Sequence, residues 1–213
     1  NGGTGGHDTL TLINVGDLYD TSVFSYTNRN DGTIALTNGD GTSNITYTGL
    51  EPISIDGTPT NLVFNLTVGS DSNVILDDIG GPDGFMRLSG TTFETTDFKV
   101  DSAVSITING LGGNDNITFK HIDVNFTASL TIDGGNGNDT INTSAVNYPV
   151  TLIGGSGDDR LTAGGGDDRL DGGAHKDIIK AGAGNDTLVA GTGDDYLNGE
   201  SGTDCLIEVI SGN

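Results

Sequence analysis

Aspartate recurs at every ninth residue near the end of this chain: Asp159, Asp168, Asp177, Asp186, Asp195 and Asp204. Each stands sixth in a nonapeptide, and the nonapeptides run head to tail from Gly154 to Ile207: GGSGDDRLT, AGGGDDRLD, GGAHKDIIK, AGAGNDTLV, AGTGDDYLN and GESGTDCLI. The shared pattern is G-G-x-G-x-D-x-U-x, with U filled by Leu161, Leu170, Ile179, Leu188, Leu197 and Leu206. Glycine admits positive φ and lets main chain approach an ion closely. Successive carbonyls can then converge beside a carboxylate. That donor set is hard oxygen with formal negative charge, and calcium takes six to eight such oxygens at about 2.3–2.6 Å.

Something must hold these loops in phase. Repetition at a fixed period marks a solenoid. Positions 7 to 9 make a short strand whose alternate side chains point to opposite faces, so position 8 points inward. One inward aliphatic per nine residues is a thin core, and burial alone does not offset the lost chain entropy. Ion binding must supply much of the folding energy.

The loop recurs upstream as GLGGNDNIT (Gly110–Thr118) and GGNGNDTIN (Gly134–Asn142). Strand-like runs SITIN, SLTID and PVTLI precede Gly110, Gly134 and Gly154. The loop starts lie 24 and then 20 residues apart, ahead of the 18-residue double period. These are longer coils of one solenoid, predicted to stack Asp115 and Asp139 on the edge that holds Asp159. The carbonyls of Gly113, Gly135, Gly137, Gly155, Gly157, Gly164, Gly166, Gly173, Gly182, Gly184, Gly191 and Gly193 are the candidate main-chain ligands. A degenerate copy, GTGGHDTLT (Gly3–Thr11), places Asp8 at position 6 and Leu10 at position 8.

Residues 12–109 hold short β-rich runs such as TIALT, NITYTGL, NLVFNLTV and AVSITI, separated by Gly, Asn and Asp clusters. The expected fold is all-β: a right-handed parallel β-helix or β-roll, irregular over 1–109, with longer coils over 110–153 and six nonapeptides over 154–213. The alternative is an N-terminal β-sandwich joined to a C-terminal β-roll.

The nonapeptides from Gly154 to Ile207 resemble the RTX, or hemolysin-type, calcium-binding family. The resemblance implies two nonapeptides per turn, with several calcium ions between the loops of neighbouring turns. Asp159, Asp177 and Asp195 would line one edge, and Asp168, Asp186 and Asp204 the other. The third repeat departs from the pattern with His175 at a glycine position and Lys176 where an acid or amide is expected, which puts that ion site in doubt. The last repeat departs with Glu200 and Thr203. The resemblance further implies an extracellular or cell-surface protein that leaves through a type I channel. Asn1 in place of Met suggests a processed chain or a piece of a larger one.

Composition agrees. The net charge is −22, from 30 acidic and 8 basic residues, 26 of the acids being aspartate. Such a field excludes nucleic acid as a partner. No run of 18 apolar residues exists to span a membrane as a helix. Neither H-E-x-x-H nor G-x-S-x-G occurs, and no catalytic residue is expected. Asp77, Asp78 and Asp123 read as exposed, solvated acids, and Cys205 as a free thiol. The function expected is a calcium-dependent structural protein, a self-associating subunit or repeat of a bacterial surface fibre, adhesin or S-layer-like coat. The alternative is a carbohydrate-binding or targeting module of a polysaccharide-modifying enzyme, with cell-surface polysaccharide as partner. In the first reading copies join head to tail, through Asp204 and Leu206 on one side and Asp8 and Leu10 on the other.

Overall fold

The computed structural model describes residues 10–13, 19–28, 31–48, 53–56, 60–78, 80–81, 83–93, 95–100 and 103–208. Among them there is no helix. The first ten strands are β1 (Leu10–Ile13), β2 (Thr21–Asn28), β3 (Asp31–Asn38), β4 (Gly41–Thr48), β5 (Ile53–Asp56), β6 (Asn61–Asn65), β7 (Val74–Asp78), β8 (Phe85–Ser89), β9 (Thr96–Lys99) and β10 (Ser105–Asn109). The rest are β11 (Asn116–Phe119), β12 (Ser129–Asn136), β13 (Thr140–Asn142), β14 (Val150–Ser156), β15 (Arg160–Thr162), β16 (Arg169–Ala174), β17 (Ile178–Lys180), β18 (Thr187–Thr192), β19 (Tyr196–Asn198) and β20 (Cys205–Ile207).

They form two sheets, ordered β1-β5-β9-β8-β7-β11-β13-β15-β17-β19 and β20-β18-β16-β14-β12-β10-β6-β2-β3-β4. From β10 onward the chain alternates between the sheets, and every pairing is parallel. This is a β-solenoid with the winding expected of the nonapeptide region. The position-8 residues stack in two columns: Leu170, Leu188 and Leu206 above Leu152 of the preceding run in one sheet, and Ile141, Leu161, Ile179 and Leu197 in the other.

The sheets do not stop at residue 109. β10 pairs with both β6 and β12, with Leu62, Ile106 and Leu130 in register and Phe64, Ile108 and Ile132 beside them. The N-terminal part is thus a continuation of the same two sheets, as the favoured reading expected. It is not purely parallel, however. The meanders β2-β3-β4 and β7-β8-β9 run antiparallel within the sheets. The first turns through Asn38-Gly39-Asp40-Gly41, with Asn38 paired to Gly41 and Gly41 at φ 142°, the two-residue connection that suits a hairpin.

The core changes character along the axis. All seven phenylalanines fall between residues 24 and 126. Phe24, Phe64, Phe93, Phe98, Phe119 and Phe126 are buried. Phe64 contacts both Phe24 (centroids 5.3 Å) and Phe98 (4.9 Å). Beyond Phe126 the interior is aliphatic and small apart from the partly buried Tyr148, edge-on to Phe126 with centroids 5.1 Å apart.

Candidate metal ladders

Close stacking of the loops follows from glycine at positions 2 and 4. Gly137, Gly155, Gly157, Gly173, Gly182, Gly184 and Gly191 all have φ between +90° and +145°. A Cβ at Gly137 would overlap the carbonyl oxygen of Gly113, and one at Gly155 that of Gly135. The same holds up the stack for the carbonyls of Gly137, Gly155, Gly164, Gly166, Gly173 and Gly184. Each candidate main-chain ligand in that set therefore faces the next coil.

The position-6 aspartates form two ladders. On one edge the amide of Asp71 donates to Asp115 Oδ1 (2.7 Å), Asp115 to Asp139 (2.8 Å), Asp139 to Asp159 (2.7 Å), Asp159 to Asp177 (2.9 Å) and Asp177 to Asp195 (2.8 Å). On the other edge the chain is Val150, Asp168, Asp186 and Asp204, at 2.8, 2.8 and 3.1 Å. The stacking of Asp115 and Asp139 beneath Asp159 is thus present. A second chain runs alongside at position 5. The amides of Asn114, Asn138, Asp158 and Lys176 donate to the side chains of Ser70, Asn114, Asn138 and Asp158, at 2.8–3.1 Å. Lys176 has no side-chain acceptor with which to pass it on.

Each rung uses one carboxylate oxygen and leaves the other. Oδ2 of Asp115, Asp139, Asp159, Asp168, Asp177 and Asp186 is buried without a hydrogen-bond donor. Burial in this position disfavours the charged form and pushes Asp115, Asp159 and Asp168 up to about 7 and Asp177 to about 6. Asp139 and Asp186 are raised by the same cause. A buried carboxylate oxygen with no donor needs a proton or a cation. Stacked carbonyls beside carboxylate oxygens that no N–H reaches fit a hard cation bound by oxygens, calcium above all.

The third repeat keeps this donor set despite its sequence. His175 adopts φ 84°, and its carbonyl oxygen faces Gly193 as a glycine's would. Asp177 stays buried with Oδ2 free. The cost is backbone strain. A non-glycine residue at positive φ costs about 1–2 kcal/mol, of which glycine's extra chain entropy gives back about 0.5–1. His175→Gly is therefore expected to stabilise the calcium-loaded protein by about 0.5–1 kcal/mol, read as a rise of a few degrees in a thermal melt. An unchanged or lower melting temperature would count against a histidine tolerated under strain.

Other expectations fare differently. Asp8 lies outside the described residues, and of Leu10 only its backbone in β1 is described. Asp195 and Asp204 close the two ladders and are only partly buried, while Leu206 is exposed. Asp123 is not a solvated acid but is buried, accepting from the amides of Gly84 (3.0 Å) and Asn125 (2.7 Å). Its carboxylate shares a site with those of Asp78 and Asp83, one oxygen from each lying within 4.8 Å of the others. Asp77 Oδ1 accepts from His121 Nδ1 at 2.7 Å. Cys205 is a free, exposed thiol. Sequence reasoning missed Asp71 and Ser70, which continue both chains of hydrogen bonds one coil further. The loop Leu66–Asp71 keeps only Gly69 and Asp71 of the nonapeptide pattern, and the 44-residue offset to Asp115 is its one legible signal.

No helix among the described residues is long and apolar enough to cross a membrane. No curated protein and no solved structure matches the chain. The model of the RTX calcium-binding nonapeptide repeat matches in four copies, over residues 131–147, 151–174 and 171–206. Those limits coincide with the coils whose aspartates carry free buried oxygens, apart from the earlier rung at Asp115. Residues 131–206 are accordingly RTX calcium-binding nonapeptide repeats, a repeat that binds several calcium ions and is typical of secreted proteins.

Proposed function

We propose that the protein is a calcium-dependent structural module of a bacterial extracellular surface, and that its copies associate end to end in a fibre, adhesin or coat. The aspartates Asp115, Asp139, Asp159, Asp168, Asp177, Asp186, Asp195 and Asp204 hold the ions together with the facing carbonyls. The observation that carries the assembly reading is strand polarity. β9 and β7 each run antiparallel to β8, and β4 and β2 each run antiparallel to β3. The outermost strands at one end, β1 and β4, therefore run in the same sense as β19 and β20 at the other. A second copy can extend both sheets by parallel pairing with no change of direction. At the β19–β20 end the inward columns finish on exposed Leu206 (52%) and partly buried Leu197, and the outward-facing Ile207 (42%) and Tyr196 (54%) beside them are exposed as well. Edge strands with exposed apolar residues favour pairing with another chain, and a head-to-tail contact that does not close propagates.

The alternative reading, a module that binds neutral polysaccharide, has an observation of its own. The outer face where β4, β3, β2, β6 and β10 lie side by side presents columns Thr42-Thr37-Thr21-Asn61-Ser105 and Thr46-Thr33-Ser25-Asn65-Asn109. Their side chains hydrogen-bond along the column, Asn109 to Asn65 at 2.7 Å and Asn65 to Ser25 at 3.1 Å. These two columns contain no charged residue, in a chain of net charge −22.

One experiment separates the readings. Sedimentation of the chain in millimolar calcium, and again in chelator, should show calcium-dependent polymers that Leu206→Asp abolishes. A strict monomer at high protein and calcium concentration, retained on insoluble neutral polysaccharide, would replace assembly with the second reading.

A further inference from the structure

The loop Leu66–Asp71 stacks beneath Gly110–Asp115 as the later loops stack on each other, through Asp71 to Asp115 and Asn114 to Ser70. Its chemistry is different. Oδ2 of Asp71 accepts from the amide of Thr67 (2.9 Å), Oδ1 from the Thr67 hydroxyl (3.0 Å), and the Thr92 hydroxyl also donates to Oδ1. Asp71 is completely buried, yet unlike Asp115 it has no oxygen left over. The main chain differs too. In the higher coils a position-4 carbonyl oxygen faces the next position-4 glycine, whereas Gly113 faces the amide nitrogen of Ser70. A donor stands where a ligand would be needed. These residues do not fit a calcium ion.

The same rung is tied to the aromatic part of the core. Thr92 lies in the connection between β8 and β9, and its neighbour Phe93 is buried against Tyr26, with ring centroids 4.7 Å apart. Burying each phenylalanine removes a large apolar surface from water, a driving force that needs no ion. The coils past residue 129 have no such resource.

We propose that the rung at Asp71 is ion-free, and that the aromatic region below it is a calcium-independent template on which the calcium coils fold in order, from β10 toward β20. Two hydroxyls and an amide do at Asp71 what cations do at the rungs above. The exposed edge formed by β10 and β11 on this template fixes the register of the first calcium loop, and each loaded coil then presents the edge for the next.

The proposal rests on calcium binding by residues 131–206 and is tested so that the two fail separately. Hydrogen exchange of the whole chain would be followed by mass spectrometry in chelator and in millimolar calcium. In chelator, segments containing Leu62, Phe64, Leu76 and Leu88 are expected to stay protected. Segments containing Leu152, Leu170 and Leu188 should lose protection entirely and regain it with calcium, those nearest residue 130 at the lowest concentration. Loss of protection in both sets together in chelator would overturn the template and leave the calcium reading standing. Protection of both sets in chelator would overturn both. Asp71→Asn supplies a second measurement, because an amide can still accept from Thr67 and can donate to the Thr92 hydroxyl. It should leave the number of calcium ions counted by native mass spectrometry unchanged. One ion fewer would show that the rung is loaded and would overturn the proposal.

Discussion

Asp159→Ala is expected to raise the calcium concentration needed for folding by about tenfold or more, and to uncouple the coils on either side. Asp159 sits mid-ladder and is buried. Its Oδ1 accepts from Asp139 and its amide donates to Asp177, while Oδ2 is free for an ion. Removing the carboxylate leaves the buried Asp139 amide without an acceptor, at about 1–3 kcal/mol. It also deletes a charged ligand. Loss of groups that merely support a metal ligand costs about 10–100-fold in affinity, and a ligand itself should cost no less. In a solenoid each coil contacts only its neighbours, so the broken rung should divide one cooperative calcium titration into two, followed by circular dichroism. Asp158→Ala is the control. Its neighbouring carboxylate is exposed, and it holds only the exposed Lys176 amide at 3.1 Å, so the midpoint should barely move. Equal effects from the two substitutions would mean that charge, and not the buried position-6 geometry, drives folding.

What the residue pattern reveals and what it hides have one physical cause. Positions 6 and 8 are legible from Asp159 to Leu206 because each coil must place one carboxylate and one apolar side chain at the same height, and an 18-residue turn forces the period. Asp115 and Asp139 remain legible because their loops keep the glycines, though the strands between them lengthen. Asp71 is lost from view because its partners are hydroxyls in Thr67 and, 21 residues on, Thr92. A satisfied carboxylate needs no glycine-framed carbonyls around it, so no motif is kept. The hairpin at Asn38–Gly41 carries a readable turn, Asn-Gly followed by Asp-Gly, and the β7–β8 connection carries another in its Gly-Gly-Pro-Asp-Gly run at 80–84, but neither shows that its strands join the solenoid's sheets. The burial of Asp123 is hidden for a similar reason. It depends on the amides of Gly84 and Asn125, the first from a distant segment, and main-chain donors leave no trace in side-chain spacing. The position-5 chain is half visible: Asn, Asp and Ser recur there, but the bonds they make run between coils.

The response to pH should reverse sign with calcium. Burial is the largest cause of the raised values at the ladder: about 7 for Asp115, Asp159 and Asp168, and about 6 for Asp177, from an ordinary 3.8. An acid whose folded value lies above its unfolded one stabilises the fold below the unfolded value and loses that contribution as pH rises through the folded value. In chelator the ladder coils should therefore be most stable near pH 4 and weaken steadily toward pH 7. Calcium takes the carboxylate and not the acid. With calcium present, protons compete with the ion, and raising the pH over the same window should strengthen the fold. Thermal melts at pH 5 and pH 8 are the measurement: the pH 5 melt should be the higher in chelator and the lower in millimolar calcium. The general repulsion of a chain at −22 also weakens the fold as pH rises without calcium, but it acts between exposed charges and is screened, with a Debye length of about 3 Å at 1 M salt. The buried contribution survives that salt. A trend in chelator that vanishes in 1 M sodium chloride would assign the effect to the surface, and the same direction of change with and without calcium would remove the buried carboxylates as the ion's ligands.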